Sequence, residues 1–321
     1  YAQWTANTYE VTFNANGGSF AGSTTEKSVT QTYDGKYKLP SETPTRSGYT
    51  FRGWYTSSTA GSQITAATKM TTAGEQALYA HWEQVAANNI SVNVGGVTLS
   101  YSGTPVYAKT DTNGKVRLGG NAANYNIKLE NGVLTLNNAT IKYAPVSDYH
   151  NGAVSADGTL TIELAAGTVN TITNTSSNSG MSAWNCGIYV NKGPLTITGS
   201  GSLTATGGGG QSSHGISVDY GTLIVDGAAV TANGGNAAGS SGIYTGKNME
   251  MKNGANVTAV GGTTSGGASR GIECSGSITI TNSSGSASGK SVAMTKSPTM
   301  NGAVITSGSY NTTSVKWAAG N

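Results

Sequence analysis

The stretch "GISVDYGTLIVDGAAVTANGG" at residues 215–235 is followed by a variant of itself, "GIYTGKNMEMKNGANVTAVGG", at residues 242–262. Each copy begins with Gly-Ile, continues with a short apolar run, and ends with Val-Thr-Ala before a closing glycine pair. Short apolar and β-branched runs separated by Gly, Asn and Asp indicate short strands with turns between them. The two copies therefore predict a repeating unit that contains three strands.

The three columns of this unit continue along the chain on both sides. The first column has spacings of 35, 28, 27 and 29 residues and consists of Gly152-Ala153, Gly187-Ile188, Gly215-Ile216, Gly242-Ile243 and Gly271-Ile272. The second starts at Leu134, Leu160, Leu195, Leu223, Met249 and Ile278, and the third at Leu203, Val230 and Val257. A period in the high twenties is too short for a propeller blade, which needs roughly 40 residues.

We expect each repeat to be one coil of a parallel β-helix, because a single coil cannot bury its apolar side chains. Stacking the coils at roughly 4.8 Å pairs each strand with its neighbours and forms a continuous core. The columns predict an all-β (mainly β) fold with a right-handed single-stranded parallel β-helix of about seven coils, ending near Met300. Residues 88–126 are expected to cap the N-terminal end, since open solenoid ends must be protected from edge pairing.

The segment before the repeats has a different pattern. "YEVTFNANGGSF" alternates apolar and polar residues before a tight turn, "PTRSGYTFRGWYTSSTAGSQI" contains an aromatic strand, and "ALYAHW" contains another. Because the segment is small, Phe13, Phe51, Trp54 and Trp82 are expected to supply most of its core. These motifs resemble the Listeria–Bacteroides repeat of internalin-type surface proteins, from about Thr8 to Glu83. The resemblance implies a small β-grasp-like module, used in tandem on bacterial surface proteins, with no catalytic role.

The motifs also suggest how the chain is divided. Residues 1–85 are predicted to form the repeat module and residues 88–321 the β-helix with its cap. "YAQW" at the start of the chain nearly repeats "YAHW" at Tyr79–Trp82, so Trp4 and Trp82 are predicted to close equivalent strands of units 78 residues long. We expect residues 1–4 to be the tail of a preceding repeat in a longer, modular protein.

The β-helix segment carries a second, less specific resemblance. "NYNIKLENGVLTLNNATI", "GAVSADGTLTIEL" and "GIYVNKGPLTITGSGSLTATGG" resemble a β-helix domain of secreted and wall-attached Gram-positive proteins and, less closely, carbohydrate-binding β-helix modules of clostridia. Those modules hold calcium in Asp-rich turns, but the turns here are mostly Gly, Asn and Ser, so a calcium role is not carried over. The resemblance implies an extracellular protein, at the cell surface or attached to the cell wall.

Composition narrows the classes of partner. Only 10% of the 321 residues are charged and the net charge is +3, without a basic run interleaved with aromatics, so we expect no nucleic-acid partner. No run of 18 apolar residues is present, so we expect no membrane insertion. Two cysteines are too few for a disulfide scaffold or a structural zinc site. We expect a monomer without cofactor or metal.

Polysaccharide-active enzymes also use β-helices, so pairs of carboxylates on the outer faces are candidate catalysts. Glu163 and Asp226 follow the middle strand two coils apart, about 9.6 Å from the strand spacing, with Thr198 between them. This separation is at the edge of the roughly 6.5–9.5 Å of inverting glycosidases. Asp157 and Asp219 are also two coils apart, with Lys192 expected between them. We interpret these acids as solvated surface groups and keep a lyase or glycosidase as the alternative.

The residues just before the Gly-Ile column raise a second catalytic alternative. Down the coils they are Asn151, Cys186, His214, Ser241 and Arg270, so Cys186 and His214 are predicted to be neighbours, as a nucleophile and its base must be. We interpret the column as a coil corner of small and polar residues. Cys274 is predicted to point inward as a buried thiol, and no disulfide is expected, because the cysteines lie three coils apart.

Binding is the remaining class of function. Tyr189 and Tyr244 are predicted to point outward on one face, with Ser217 between them and with further aromatic candidates Tyr220, Trp184 and His214 nearby. Exposed aromatic rings on a β-face can stack on the apolar faces of sugars. We therefore expect a non-enzymatic adhesion or ligand-display protein whose partner is a polysaccharide, a host glycan or a host surface protein. The alternatives are a polysaccharide-active enzyme or its accessory module, and a structural spacer without ligand.

Overall fold

The computed structural model describes residues 5–20, 24–46, 49–84, 90–144, 151–177 and 184–320. The predicted tail at Tyr1–Trp4 lies outside these ranges. The chain folds as two compact units, Tyr1–Ala87 and Asn88–Asn321. Every regular element among the described residues is a β-strand, which confirms the predicted all-β class. None of these residues lies in a helix that is long and apolar enough to cross a membrane.

The described residues of the first unit form a five-stranded mixed sheet. In spatial order its strands are β2 (Glu26–Thr32), β1 (Thr8–Asn14), β5 (Gln76–Gln84), β3 (Tyr49–Tyr55) and β4 (Gln63–Ile64). Strand β1 pairs antiparallel with β2 and parallel with β5, an arrangement in keeping with the predicted β-grasp-like module. The predicted turn after β1 is present, where Asn16 and Gly17 have φ values of 45° and 86°.

Aromatic side chains fill the core of the first unit. Phe13 and Trp54 are buried and contact each other edge to face at 5.0 Å, as the sequence predicts. Phe51 and Trp82 are only partly buried but pack against this core. The Trp82 indole donates a hydrogen bond of 2.9 Å to the carbonyl of Ala15, which ties the last strand to the first turn.

The described residues of the second unit form three sheets, and successive coils contribute parallel strands to each. Sheet I contains, in spatial order, β28 (Val292–Met294), β25 (Ser269–Cys274), β22 (Ala237–Thr245), β19 (Gly210–Val218), β16 (Trp184–Asn191), β13 (Asn151–Asp157), β6 (Ser91–Val94) and β7 (Val97–Ser100). Sheet II contains β29 (Pro298–Asn301), β26 (Ile278–Thr281), β23 (Met249–Lys252), β20 (Leu223–Asp226), β17 (Leu195–Thr198), β14 (Leu160–Leu164), β11 (Val133–Leu136), β10 (Ile127–Glu130), β8 (Val106–Thr110) and β9 (Val116–Leu118). Sheet III contains β12 (Thr140–Tyr143), β15 (Val169–Asn174), β18 (Ser202–Thr206), β21 (Ala229–Asn233), β24 (Asn256–Val260), β27 (Ser284–Ser288), β31 (Ser314–Ala319) and β30 (Ala303–Gly308).

The inward ladders follow the sequence columns. In sheet I, Ile188, Ile216, Ile243 and Ile272 are in register and fully buried. In sheet II, Leu195, Leu223, Met249 and Ile278 form the equivalent ladder. Sheet II contains seven parallel strands within the described ranges, from β11 to β29, in keeping with the predicted number of coils.

One register prediction is wrong by a residue. Strand β13 aligns Val154 with Ile188 and Asn151 with Asn185, so the first coil spans 34 residues rather than 35. The Gly-Ile column thus continues upward as Ala153-Val154, not as Gly152-Ala153. Both Ala153 and Val154 are fully buried, and this register keeps the larger Val side chain on the Ile ladder.

Antiparallel strands close parts of both ends of the solenoid. At the N-terminal end, the hairpin β6–β7 pairs with β13, and β8, β9 and β10 extend sheet II beyond β11, as the predicted cap requires. At the C-terminal end, β31 pairs antiparallel with β27 of sheet III and forms a hairpin with β30. This second cap departs from the parallel pattern and was not predicted.

Candidate ligand-binding groove

The glycine column of sheet I shapes the outer surface. A Cβ atom on Gly215 would lie 2.5 Å from the backbone nitrogen of Asn233 in sheet III, and one on Gly242 would lie 2.5 Å from that of Val260. Real Cβ atoms do not approach other atoms so closely, so only glycine allows sheet I to contact sheet III here. The glycine column therefore marks a line along which sheet I lies directly against the backbone of sheet III.

Side chains on both sides of this line meet on the outer face. Arg270, one residue before Gly271, donates a hydrogen bond of 3.1 Å to Glu273, two residues after it. Ser241 on the neighbouring coil donates to the same carboxylate at 2.8 Å. Side chains from either side of the glycine thus converge on β25, joined by one from β22. We call the outer face of β13, β16, β19, β22 and β25 the sheet I groove.

Three aromatic rings from adjacent coils meet in the groove. Trp184 on β16 lies 5.1 Å from His214 on β19 and 5.1 Å from Tyr244 on β22, both in edge-to-face geometry, and the last two rings are 5.3 Å apart. These rings border a cavity of about 140 Å³ lined by Trp184, Ser212, His214, Gly239, Ser240, Tyr244, Arg270 and Glu273. Three of the five predicted binding residues therefore form one cluster, the aromatic cluster, beside an ion pair.

Tyr189 and Tyr220 lie near this cluster. The Tyr189 hydroxyl donates a hydrogen bond of 2.9 Å to Asp219, and Tyr220 is 65% exposed. Burial, followed by the negative charge of Asp219, raises the pKa of the Tyr189 phenol. Burial and the same charge, with that of Glu273, raise the pKa of Tyr244. Both phenols therefore stay protonated at neutral pH and can donate hydrogen bonds.

A larger cavity of about 500 Å³ lies further along the groove, toward the N-terminal cap. It is lined by Ser91, Asn93, Thr98, Tyr143, Asn151, Gly152, Ser155, Ala156, Asp157, Tyr189 and Asn191. Most of these side chains are amides, hydroxyls and a carboxylate, which offer both donors and acceptors. We call this the cap cavity.

One of the two carboxylate pairs considered as catalysts, Glu163 and Asp226, lies on a different face. Glu163 and Asp226 flank Thr198 in register on the outer face of sheet II, as predicted. Each carboxylate accepts a hydrogen bond from a neighbouring side chain: Thr135 donates to Glu163 at 3.2 Å, and Asn253 donates to Asp226 at 2.7 Å. Lys252 also pairs with Asp226 at 3.7 Å.

The prediction that Lys192 separates Asp157 from Asp219 is wrong. Asn191 occupies that register position and donates a hydrogen bond of 2.7 Å to Asp157. Lys192 lies one residue further along and forms an ion pair of 3.0 Å with Asp157. The error follows from the one-residue register shift of the first coil.

Cys186 and His214 are paired in register, but their surroundings do not suit a nucleophile. Cys186 is fully buried, and burial followed by the charge of Asp219 raises the pKa of its thiol, whereas a nucleophilic cysteine needs a lowered pKa. Asn151, placed in the same column by the sequence, aligns instead with Asn185. Cys274 is buried on the inward ladder, as predicted, and both cysteines are free.

Comparison with known protein families bears on the first unit. Residues 9–81 match the family model of the Listeria-Bacteroides repeat domain. The resemblance predicted from the motifs is therefore confirmed for this part of the chain. Listeria-Bacteroides repeat domains occur in surface and extracellular proteins, which indicates an extracellular or surface location. The match ends before the β-helix, so the groove lies outside the Listeria-Bacteroides repeat.

Several groove residues were missed at the level of sequence. The sequence indicates only a catalytic alternative for Asp219 and no role for Glu273, although Glu273 occupies the position of Tyr244 one coil later. Asn93 and Thr98 fall within the predicted cap, residues 88–126, for which the sequence indicates no binding role. The register of the coils could have identified them. The positions directly after the inward ladder of sheet I form one outward row, which contains Ser155, Tyr189, Ser217, Tyr244 and Glu273.

Proposed function

We propose that this is a bacterial surface or secreted protein whose β-helix binds a glycan in the sheet I groove, for adhesion or ligand display, without turning it over. The observation that carries the proposal is the aromatic cluster: Trp184, His214 and Tyr244 come from three successive coils and meet beside a cavity. None of these three rings belongs to the hydrophobic core, which is formed by the inward apolar side chains.

The chemistry of the groove suits a sugar. A sugar ring has an apolar face, which can stack on Trp184 or Tyr244, and hydroxyls around its rim. The rim of the cavity offers the Arg270–Glu273 pair and the hydroxyl of Ser212. Ligand sites commonly combine aromatic side chains with a few fixed polar groups in this way. A polysaccharide or a host glycan is therefore the favoured partner.

Binding can be tested by substitution of one ring. Tyr244→Ala removes a ring of the cluster, and we expect binding on a glycan array to fall for every bound glycan, with a Kd at least tenfold weaker by calorimetry, about 1.4 kcal/mol. Tyr125→Ala is the matched control, because Tyr125 also belongs to an aromatic pair, with Tyr107 of β8 in sheet II, and lines neither cavity. Equal loss in both variants, or none in Tyr244→Ala, would remove the groove from the function.

Absence of turnover is supported by the surroundings of both acid pairs: in the groove, Asn191 and Lys192 hold Asp157, and Tyr189 holds Asp219. Glu163 and Asp226 lie on sheet II, where Thr135, Asn253 and Lys252 hold them, away from the strands that form the aromatic cluster. Incubation with plant and host polysaccharides should release neither reducing ends nor unsaturated products. Turnover that is lost in Glu163→Gln or Asp226→Asn would establish the enzyme instead. A glycan array without any bound glycan would favour the spacer.

A further inference from the structure

The cap cavity shares its surface with the groove and includes residues of the N-terminal cap. Strand β6 pairs with β13 and so continues sheet I beyond the first coil. Val92 and Val94 of β6 point into the core, where they are fully buried, while Asn93 between them faces the cavity. Thr98 on β7 is opposite Asn93 and is exposed. The cap hairpin therefore forms part of the wall of a cavity and does more than cover the end of the core.

The two cavities lie on one face, and strand β16 contributes residues to both. Trp184 near the start of this strand lines the aromatic cavity, and Tyr189 further along it lines the cap cavity. Apart from Tyr143 of sheet III, the lining residues lie on strands that are consecutive neighbours in sheet I, from β7 to β25. Six intervals of strand spacing give a length of about 29 Å along the axis of the solenoid. This length exceeds what a single sugar could cover.

The two cavities also differ in chemistry. The aromatic cavity offers ring faces for stacking, whereas the cap cavity offers amide and hydroxyl groups from Asn93, Thr98 and Ser155 and the carboxylate of Asp157. A chain of sugars needs both kinds of contact at successive positions, because every unit has an apolar face and a rim of hydroxyls. A ligand bound in one cavity alone would contact only part of the groove.

We propose that the ligand is an internal segment of an extended polysaccharide, which lies along the axis of the solenoid and occupies the aromatic cavity and the cap cavity together. This inference rests on the proposed glycan binding and adds the length and direction of the ligand. Occupation of two linked subsites raises affinity because the second contact is intramolecular, by 10²–10⁴-fold for a well-matched spacing. Affinity therefore depends on chain length.

The test uses cello-, xylo- and chito-oligosaccharides and hyaluronan oligosaccharides, each from the shortest unit to the octamer, titrated by calorimetry. In the series that binds, we expect the affinity to rise by about 100-fold once the oligomer is long enough to reach both cavities. Thr98→Trp fills the cap cavity, and should abolish this rise while the short oligomers bind as before. Tyr244→Ala should weaken short and long oligomers alike.

Two controls separate the possible results. Thr231→Trp places the same ring on the outer face of sheet III, at another outward threonine, and should leave the length dependence unchanged. Asn191→Ala removes a cap-cavity amide without adding bulk, and should reduce the rise at least tenfold. Affinity that is independent of length in wild type and in Thr98→Trp would overturn the extended mode but leave the proposed glycan site intact. Absence of binding in all four series would overturn both.

Discussion

Sheet I and sheet III belong to the same coils but differ in what their outer faces carry. From β15 to β27, the strands of sheet III contain no titratable side chain, and Thr171, Thr204, Thr231 and Thr258 repeat in register on the outside. At the equivalent outward positions of sheet I, the coils change from Tyr189 to Ser217, Tyr244 and Glu273. One face of the solenoid repeats itself, and the other varies.

The difference shows where a solenoid can acquire a binding site. Inward positions are constrained on every coil, because they must stack on their neighbours to form the core. Outward side chains need not stack in the core, so they can vary from coil to coil to suit a ligand. In sheet I the glycine column adds a second row of outward side chains before each glycine, and the two rows meet at the Arg270–Glu273 pair. Sheet III offers a single uniform surface.

The largest effect is expected where the two sheets touch. In Gly215→Ala the new methyl group would lie 2.5 Å from a backbone nitrogen of sheet III, so the sheets must separate. We expect the free energy of unfolding to fall by about 3 kcal/mol, in the upper range for overpacking, with loss of glycan binding. Urea unfolding measures the change.

Gly266→Ala is the matched control for this substitution, because a Cβ atom there would have no neighbour within 4 Å. It should unfold as the wild type does. If Gly215→Ala also unfolds as the wild type does, sheet I does not depend on glycine for its contact with sheet III.

A second effect concerns ionisable groups, which distinguish sheet I from sheet III. Burial, then the charge of Asp219, raises the pKa of the Cys186 thiol and of the Tyr189 phenol. A group whose pKa is raised by folding stabilises the folded state below its unfolded pKa, about 8.5 for Cys and 10 for Tyr. Above these values the unfolded chain ionises first, so the free energy of unfolding should fall as the pH rises.

Urea unfolding between pH 7 and pH 10 measures this dependence. In Cys186→Ala, which removes one of the ionising groups, the decline above about pH 8.5 should be shallower than in wild type. The baseline stability of the variant at pH 7 does not affect this comparison of slopes. Identical slopes would contradict the burial of the Cys186 thiol.

The smallest effect is expected on the uniform face. Thr231→Val replaces an outward hydroxyl in the middle of sheet III by a methyl group of similar size. Stability should change by no more than about 0.5 kcal/mol, and glycan binding should be unchanged. A loss of binding in this variant would place the ligand on sheet III and reverse the contrast between the two faces.

The sequence predicted the solenoid well because its core repeats. The apolar residues of the ladders that include Ile188 and Leu195 recur at nearly constant spacing along the chain. Only a parallel β-helix buries such residues with so few in each strand. The first coil was misaligned because Gly152 and Ala153 imitate the Gly-Ile pair one residue too early. A short motif could not reveal that Val154 packs better on the ladder.

The groove was predicted only in part. The outward directions of Tyr189 and Tyr244 followed from alternation along the strand. The contact between Trp184 and His214 was not predicted. Cys186 and His214 lie two residues before an inward Ile, so simple alternation would point them inward. The contact with sheet III that alters this pattern involves residues of another strand, such as Asn233, and no local motif records it.

The spacing of Gly215 and Gly242 gives the protein a unit of growth. Duplication of a 27-residue segment of the gene would insert one more coil, whose inner ladders already match those above and below. The core would need no redesign, and the outer face of sheet I would lengthen by about 4.8 Å. In such a protein the number of coils sets the length of the outer face of sheet I, and a few outward side chains in each coil set its chemistry.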